Sequence, residues 1–569
     1  VKNLKEIKLR YLELVTRKKP EENISIYEAV IKGDLYCLER ILDSGVSPNK
    51  LDIKGNSPLS LAAAAGNYGI VNLLIKKGAE INYTKSNGKS ALIIAAKYGK
   101  EEIVKILLAH GANVNHTKSD SMSSLLLAIK KGHYKTIEVL LNNGADINQK
   151  TYTNLTPMAL AIEENNANIV KLLLSKGADI HNRTINSHSP LFTASTYGYI
   201  EIINALLNAG VMINEKRNGD GNTALMAASF MNHHQAINLL IDRGAHPNLI
   251  NNEGKTALMI AIAESNFSAA LQLIKKDANV NLADNKGKTP LIMAAKRNNV
   301  ELVEFLISMR ANVNQCTNDN QSPLMYAVNA NNIEMVNILL SHGANINQTT
   351  NAMASALMVA CYHKNKTIIK ILIRNGANIN QTMHDGTSSL LIATQQSSIE
   401  GVNILLDSGA TINHVDNNGF TALMIAVQLN NHMIAKYLLE RGANVNLTNN
   451  EGKTALFLAI DNNNEAIIRL LLQHKETDFD ILYNEHTIEE YAENKGFNQI
   501  VDIIGDARIK KEQDLRWSEP RMTFVEAVIR GTIARETIAS AVPQLHAGQL
   551  SEPYPEENYS KLQLFCGIQ

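Results

Sequence analysis

Net charge is the first thing this chain lacks. Lys and Arg number 55 and Asp and Glu number 55, so the formal net charge is zero. Without a global basic field, nucleic acid and anionic lipid are excluded as expected partners. Long apolar runs are also missing. None approaches the roughly 20 residues needed to span a bilayer. Cysteine is scarce: Cys37, Cys316, Cys361 and Cys566 stand alone, without paired spacing. That excludes a disulfide framework and a zinc site and suits a reducing compartment, so the expected location is the cytoplasm. An initiating Met and an apolar leader are absent, since the chain opens on Val1. The expectation is a processed N-terminus or a fragment that has lost an upstream domain. What is present is a folded composition, with 45% hydrophobic and 19% charged residues.

A length of 569 residues would imply roughly four domains at about 150 residues each, but internal repetition overrides that count. Gly45, Gly78, Gly111, Gly144, Gly177 and Gly210 follow one another at 33-residue steps. One step of 34 leads to Gly244, and the 33-step resumes through Asp277, Arg310, Gly343, Gly376, Gly409 and Gly442. Around them recurs Gly-Ala-x-Ile/Val-Asn, as in Gly111-Ala-Asn-Val-Asn115 and Gly442-Ala-Asn-Val-Asn446. Further on comes Thr/Ser-Pro/Ala-Leu-x-x-Ala, as in Ser57-Pro-Leu-Ser-Leu-Ala62 and Thr289-Pro-Leu-Ile-Met-Ala294.

Each element has a physical reading. Thr or Ser before an apolar run is an N-cap, and Pro beside it has no N–H to lose. The short first helix ends at Gly66, Gly99, Gly132 and Gly198, or at Asn165, Asn232, Asn298, Asn331, Asn430 and Asn463. Both residue types tolerate a left-handed backbone. Ile103-Val104-Lys105-Ile106-Leu107-Leu108 is the apolar stripe of a second helix. The Asn-, Asp- and Gly-rich stretch after it reads as a polar hairpin finger.

Helix, turn, helix and hairpin at a period of 33 resemble the ankyrin repeat. The resemblance implies an all-α repeat solenoid, a helix-turn-helix stack with β-hairpin fingers. Its extent is residues 26–506, with thirteen repeats between Asp52 and Lys475 and atypical caps at 26–49 and 487–505. A helical segment is expected at 1–25 and a helical tail at 507–569, the tail holding an amphipathic helix over 524–541. There are departures from the family pattern. The His that usually follows Thr-Pro-Leu is never present; Met226, Met259, Met325 and Met358 are among its replacements, so apolar packing is expected there instead. Asp277 and Arg310 put a Cβ where a left-handed backbone is expected, which implies local strain between residues 266 and 312. The inserted residue lies within 214–222 and should bulge that finger.

Catalytic chemistry is sought and not found. Gly-Lys-Thr at Gly254, Gly287 and Gly452 lacks the upstream Gly of a phosphate loop, since those positions are Leu249, Leu282 and Leu447. His233-His234 has no zinc spacing. Cys361 and His363 share a turn without an orienting third group. No cofactor or metal site is expected.

The resemblance instead points to binding through the fingers and the exposed end of the first helix. Apolar residues in those slots are Tyr98, Tyr152, Tyr197, Phe230, Met231, Tyr362, Phe420 and Leu429, a composition typical of interface hot spots. The basic pairs Lys130-Lys131 and Lys296-Arg297 share the register. The implied protein is a monomeric, non-enzymatic scaffold that holds a protein partner on its concave face, with a second contact at the tail. Its Asn-, Lys- and Met-rich style also resembles host-directed effectors of intracellular bacteria, which would act in host cytoplasm. The alternative is the targeting arm of an enzyme whose catalytic domain lies outside the chain.

Overall fold

The computed structural model describes residues 24–182 and 188–518, with side chains through residue 513. The expected N-terminal helical segment and the helix expected over 524–541 lie outside the described residues, but for the last residues of the former. Thirty helices among the described residues form fifteen consecutive pairs. They fall in two compact units, residues 1–285 and 286–569.

One repeat shows how local sequence builds the pair. The Ser57 hydroxyl accepts the N–H of Ser60, and Pro58 occupies the first turn of the helix Pro58–Ala65. Gly66 ends that helix at φ 84°. Asn67 then caps Tyr68–Lys76 by accepting from the N–H of Ile70. First helices are buried nearly all round, as in Ala91, Leu92, Ile93, Ala95 and Ala96, because a neighbouring pair covers each flank. Their small Ala residues let adjacent helices close without voids. Second helices bury one stripe, such as Ile103, Val104 and Leu107, and keep Glu101 and Lys105 outside as an ion pair.

The turn between the helices is left-handed, as expected, at Asn165, Asn232, Asn298, Asn331, Asn430 and Asn463, with φ between 50° and 61°. Ser265, Lys364 and Ser397 adopt it as well, at 61°, 56° and 54°. Asp277 and Arg310 sit at φ 62° and 64°, so both carry a Cβ in a conformation that favours glycine.

The fingers are tight hairpin turns. Asn251 and Lys255 pair through their backbones at 3.0 Å, and the Asn251 carboxamide oxygen accepts from the N–H of Glu253 and Lys255. The ladder is too short to form a strand among the described residues. It survives as isolated bridges such as Thr117 to Ser123 and Thr382 to Ser388. In the 214–222 finger the closing bond runs from the Arg217 N–H to the Asn222 carbonyl, 2.8 Å. That turn is one residue wider than the one from Asn251 to Lys255, which is the expected bulge. Arg217 fills it, lying 4.8 Å from the Phe192 ring centre and donating to Asp220 at 2.9 Å.

A ladder of asparagines crosses from repeat to repeat. The Asn82 amide donates to the carbonyl of Gly111 at 3.0 Å, and its oxygen accepts from the N–H of Asn113 at 2.8 Å. In the second unit Asn347 bonds in the same way to Gly376 and Asn378, and Asn380 to Gly409 and Thr411.

The last pair, Ile488–Asn494 and Asn498–Ser518, closes the second unit. Its final helix runs past residue 506. Asp461 is the node of this end. It pairs with Lys453 at 2.9 Å and Lys495 at 2.8 Å and accepts from the Tyr491 hydroxyl at 2.6 Å. The rings of Phe457, Tyr483 and Tyr491 pack beside it with centroids 5.2 to 5.5 Å apart.

Candidate protein-binding face

Within the first unit, Tyr98, Tyr197, Phe230 and Met231 stand at the same end of their first helices, next to the left-handed turn. Tyr197 is 49% exposed, Phe230 50% and Met231 44%. They lie in consecutive repeats: His233, in the repeat of Phe230, has its Nε2 3.0 Å from the carbonyl oxygen of Thr196, the residue before Tyr197. Tyr197 also stacks on Tyr199, with centroids 5.3 Å apart. Lys97 lies over the Tyr98 ring at 5.1 Å. Tyr152 stands apart on a fingertip and is 83% exposed.

In the second unit Lys296 and Arg297 are exposed at the same register, while Tyr362 and Leu429 are half-buried. Phe420 departs from the expectation of an exposed contact. It is only 6% exposed. The residue closes its finger, pairing with Asp416 through the backbone at 3.1 Å, and the next residue is the N-cap Thr421. That position points inward, as the buried Ala354 and Thr387 do in the preceding repeats. An aromatic ring there is core.

Charge varies along the register. Lys130 and Lys131 are exposed, as are Glu163 and Glu164 in the next repeat. Partial desolvation and the Glu164 charge raise the Glu163 carboxyl above its usual value, against a pull from Lys130.

The candidate chemical groups sit in structural roles. Gly254 is a fingertip glycine at φ 77°, where a Cβ would meet the backbone N of Asn285 at 2.7 Å. His233 precedes the helix His234–Asp242 and spends its ring on the preceding repeat. Cys361 is fully buried, which pushes its thiol far up, opposite to a nucleophile. His363 contacts the Asn329 carboxamide at 2.9 Å. Among the described residues no group of three or more side chains is arranged to hold a metal ion, and no helix is long and apolar enough to cross a membrane. The cavity beside Tyr326 and Val359 measures about 20 Å³, room for one water rather than a metabolite.

The ladder role of the finger asparagines was not visible in the sequence. The signal was present in the recurring Gly-Ala-x-Ile/Val-Asn, but the partner of each Asn lies in the next repeat.

Comparison with known proteins agrees with this geometry. The family model described as ankyrin repeats (3 copies) matches residues 26–118, 125–217, 191–284, 258–350, 351–416 and 408–483. Ankyrin repeat domain-containing protein 46 of Rattus norvegicus and that of Mus musculus are each 43% identical over 56 residues, 10% of this chain. The matched stretch spans a quarter of the length of those relatives. Helix pairs at a 33-residue period, left-handed turns and family matches over most of the sequence lead to one conclusion: the chain belongs to the ankyrin repeat family.

Proposed function

We propose that the chain is a non-enzymatic scaffold that holds a protein partner on the concave face made by its fingers and first-helix ends. The observation that carries this reading is the cluster of Tyr197, Phe230 and Met231, about half exposed in consecutive repeats. Tyr197 stacks on Tyr199, yet it, Phe230 and Met231 keep about half of their surface open in one register, and such residues dominate interface energetics. Ankyrin repeats in general are protein-interaction modules, which supports the reading. The narrower reading, a host-directed bacterial effector acting in host cytoplasm, rests on the Asn-, Lys- and Met-rich style alone. A second contact at the C-terminal tail belongs to the same proposal.

The test compares the full chain with the variant Tyr197→Ala/Phe230→Ala/Met231→Ala, both immobilised, for proteins captured from a cell lysate. Loss of captured partners with unchanged helicity and melting supports the reading, and the affinity should fall by more than about 2 kcal/mol. Retention of the same partners at the same affinity removes it.

A further inference from the structure

The residue pairs at the first-helix ends of the first unit, exposed but for the half-buried Lys97 and Thr196, follow a chemical order. Lys97 and Tyr98 come first, then Lys130 and Lys131, then Glu163 and Glu164, then Thr196 and Tyr197, then Phe230 and Met231. Backbone carbonyls at the register tie neighbours together. The Nε2 of His133 lies 3.1 Å from the Lys97 oxygen, and that of His233 lies 3.0 Å from the Thr196 oxygen.

The acidic pair has no structural reason to be there. Glu163 ends the helix Pro157–Glu163 and Glu164 is its C-cap. A helix C-terminus carries partial negative charge, so two carboxylates there are unfavourable, and they also repel each other. Only a longer-range pull of Lys130 on Glu163 opposes this, since among the described residues neither Lys130 nor Lys131 forms an ion pair with Glu163 or Glu164 within 4 Å. Two blocks of opposite charge therefore stand side by side and unpaired, followed by an apolar block.

We propose that this register selects an extended polypeptide segment by the order of its side chains: acidic against Lys130 and Lys131, basic against Glu163 and Glu164, and large apolar against Tyr197, Phe230 and Met231. The spacing follows from the stack. Packed helices lie about 8–10 Å apart and an extended chain rises about 3.3 Å per residue, so one repeat corresponds to roughly three residues of ligand. The partner class is a linear segment with acidic, basic and apolar groups at about three-residue steps. The inference rests on the reading of this face as the partner-binding surface.

The experiment uses the full chain and three fluorescein-labelled synthetic peptides of about twelve residues. All share one composition of Asp, Lys, Trp and Ser. One has the order acidic, basic, apolar. The others exchange acidic with basic, or place the apolar group in the centre. Fluorescence anisotropy should show the first bound at least about tenfold more tightly, a preference of about 1.4 kcal/mol, and the margin should shrink as salt rises. Glu163→Lys/Glu164→Lys should transfer the preference away from that peptide. Glu163→Gln/Glu164→Gln should reduce the preference without reversing it, and melting curves confirm that each variant is folded. Equal affinity for all three peptides, or an order preference that both variants leave untouched, overturns the inference. If the peptides fail while the triple alanine variant still loses its captured proteins, the scaffold reading stands and this ordered-ligand inference falls.

Discussion

The side-chain amide of Asn115 donates to the carbonyl oxygen of Gly144, 3.1 Å away and 29 residues later in the chain. Its oxygen accepts from the N–H of Asp146 at 2.8 Å, so both ends of one carboxamide are used on the next repeat. A carboxylate could accept but not donate there, and a hydroxyl is too short to do both.

Asn347 is the clearest place to test the ladder, because its bonds to Gly376 and Asn378 measure 3.2 and 2.7 Å. Asn347→Ala removes both, and each net bond contributes about 0.5–1.5 kcal/mol. The expected loss is about 1–3 kcal/mol, and Asn347→Asp, which can accept but not donate, should also be destabilised. Hydrogen exchange at the Asn378 N–H should accelerate. Unchanged exchange there would show that the bond does not hold the repeats together.

Asp277 ends its helix at φ 62°. Asp277→Gly removes a Cβ from a left-handed backbone at the cost of some unfolded-chain entropy, for a net gain of about 0.5–1 kcal/mol. Urea unfolding should move to a higher midpoint. A lower midpoint would mean that the carboxylate contributes more than the backbone loses.

Asp461 sets a pH dependence at the C-terminal end. Desolvation pushes its carboxyl up, but hydrogen bonds from Lys495, Tyr491 and Lys453 outweigh that and hold it below the usual carboxylate value. A lowered folded value means that the stabilisation is fully present above the unfolded value of about 4. It is lost as pH falls through the lower, folded value. Amide exchange in Ile488–Asn494, taken relative to the intrinsic rate at each pH, should therefore rise in that acid window. Asp461→Asn should flatten the rise. An identical profile in the variant would place the acid sensitivity elsewhere.

Cys361 offers a probe of local opening. Its thiol is fully buried and its ionisation is suppressed by desolvation. In native protein N-ethylmaleimide should leave it unmodified, while urea should expose it to labelling, as read by mass mapping. Rapid native labelling would show that the Ala356–Tyr362 helix opens readily.

What depends on neighbouring residues along the chain is legible in the amino-acid order alone. Ser57 before Pro58 favours a helix cap, Gly66 turns left-handed because it has no Cβ, and Asn165 because its short polar side chain tolerates that backbone. These preferences, repeated every 33 residues, specify helix pairs and their stacking. Which surfaces remain open depends instead on packing between repeats. Phe420 and Phe230 are the same residue type in slots that both read as surface, yet one closes a finger toward the core and the other ends a helix facing solvent. The role of Asn115 was undecidable for the same reason, because its partner belongs to the following repeat. Burial and the bonds between repeats are properties of two segments in contact, and only the stacked chain places them against each other.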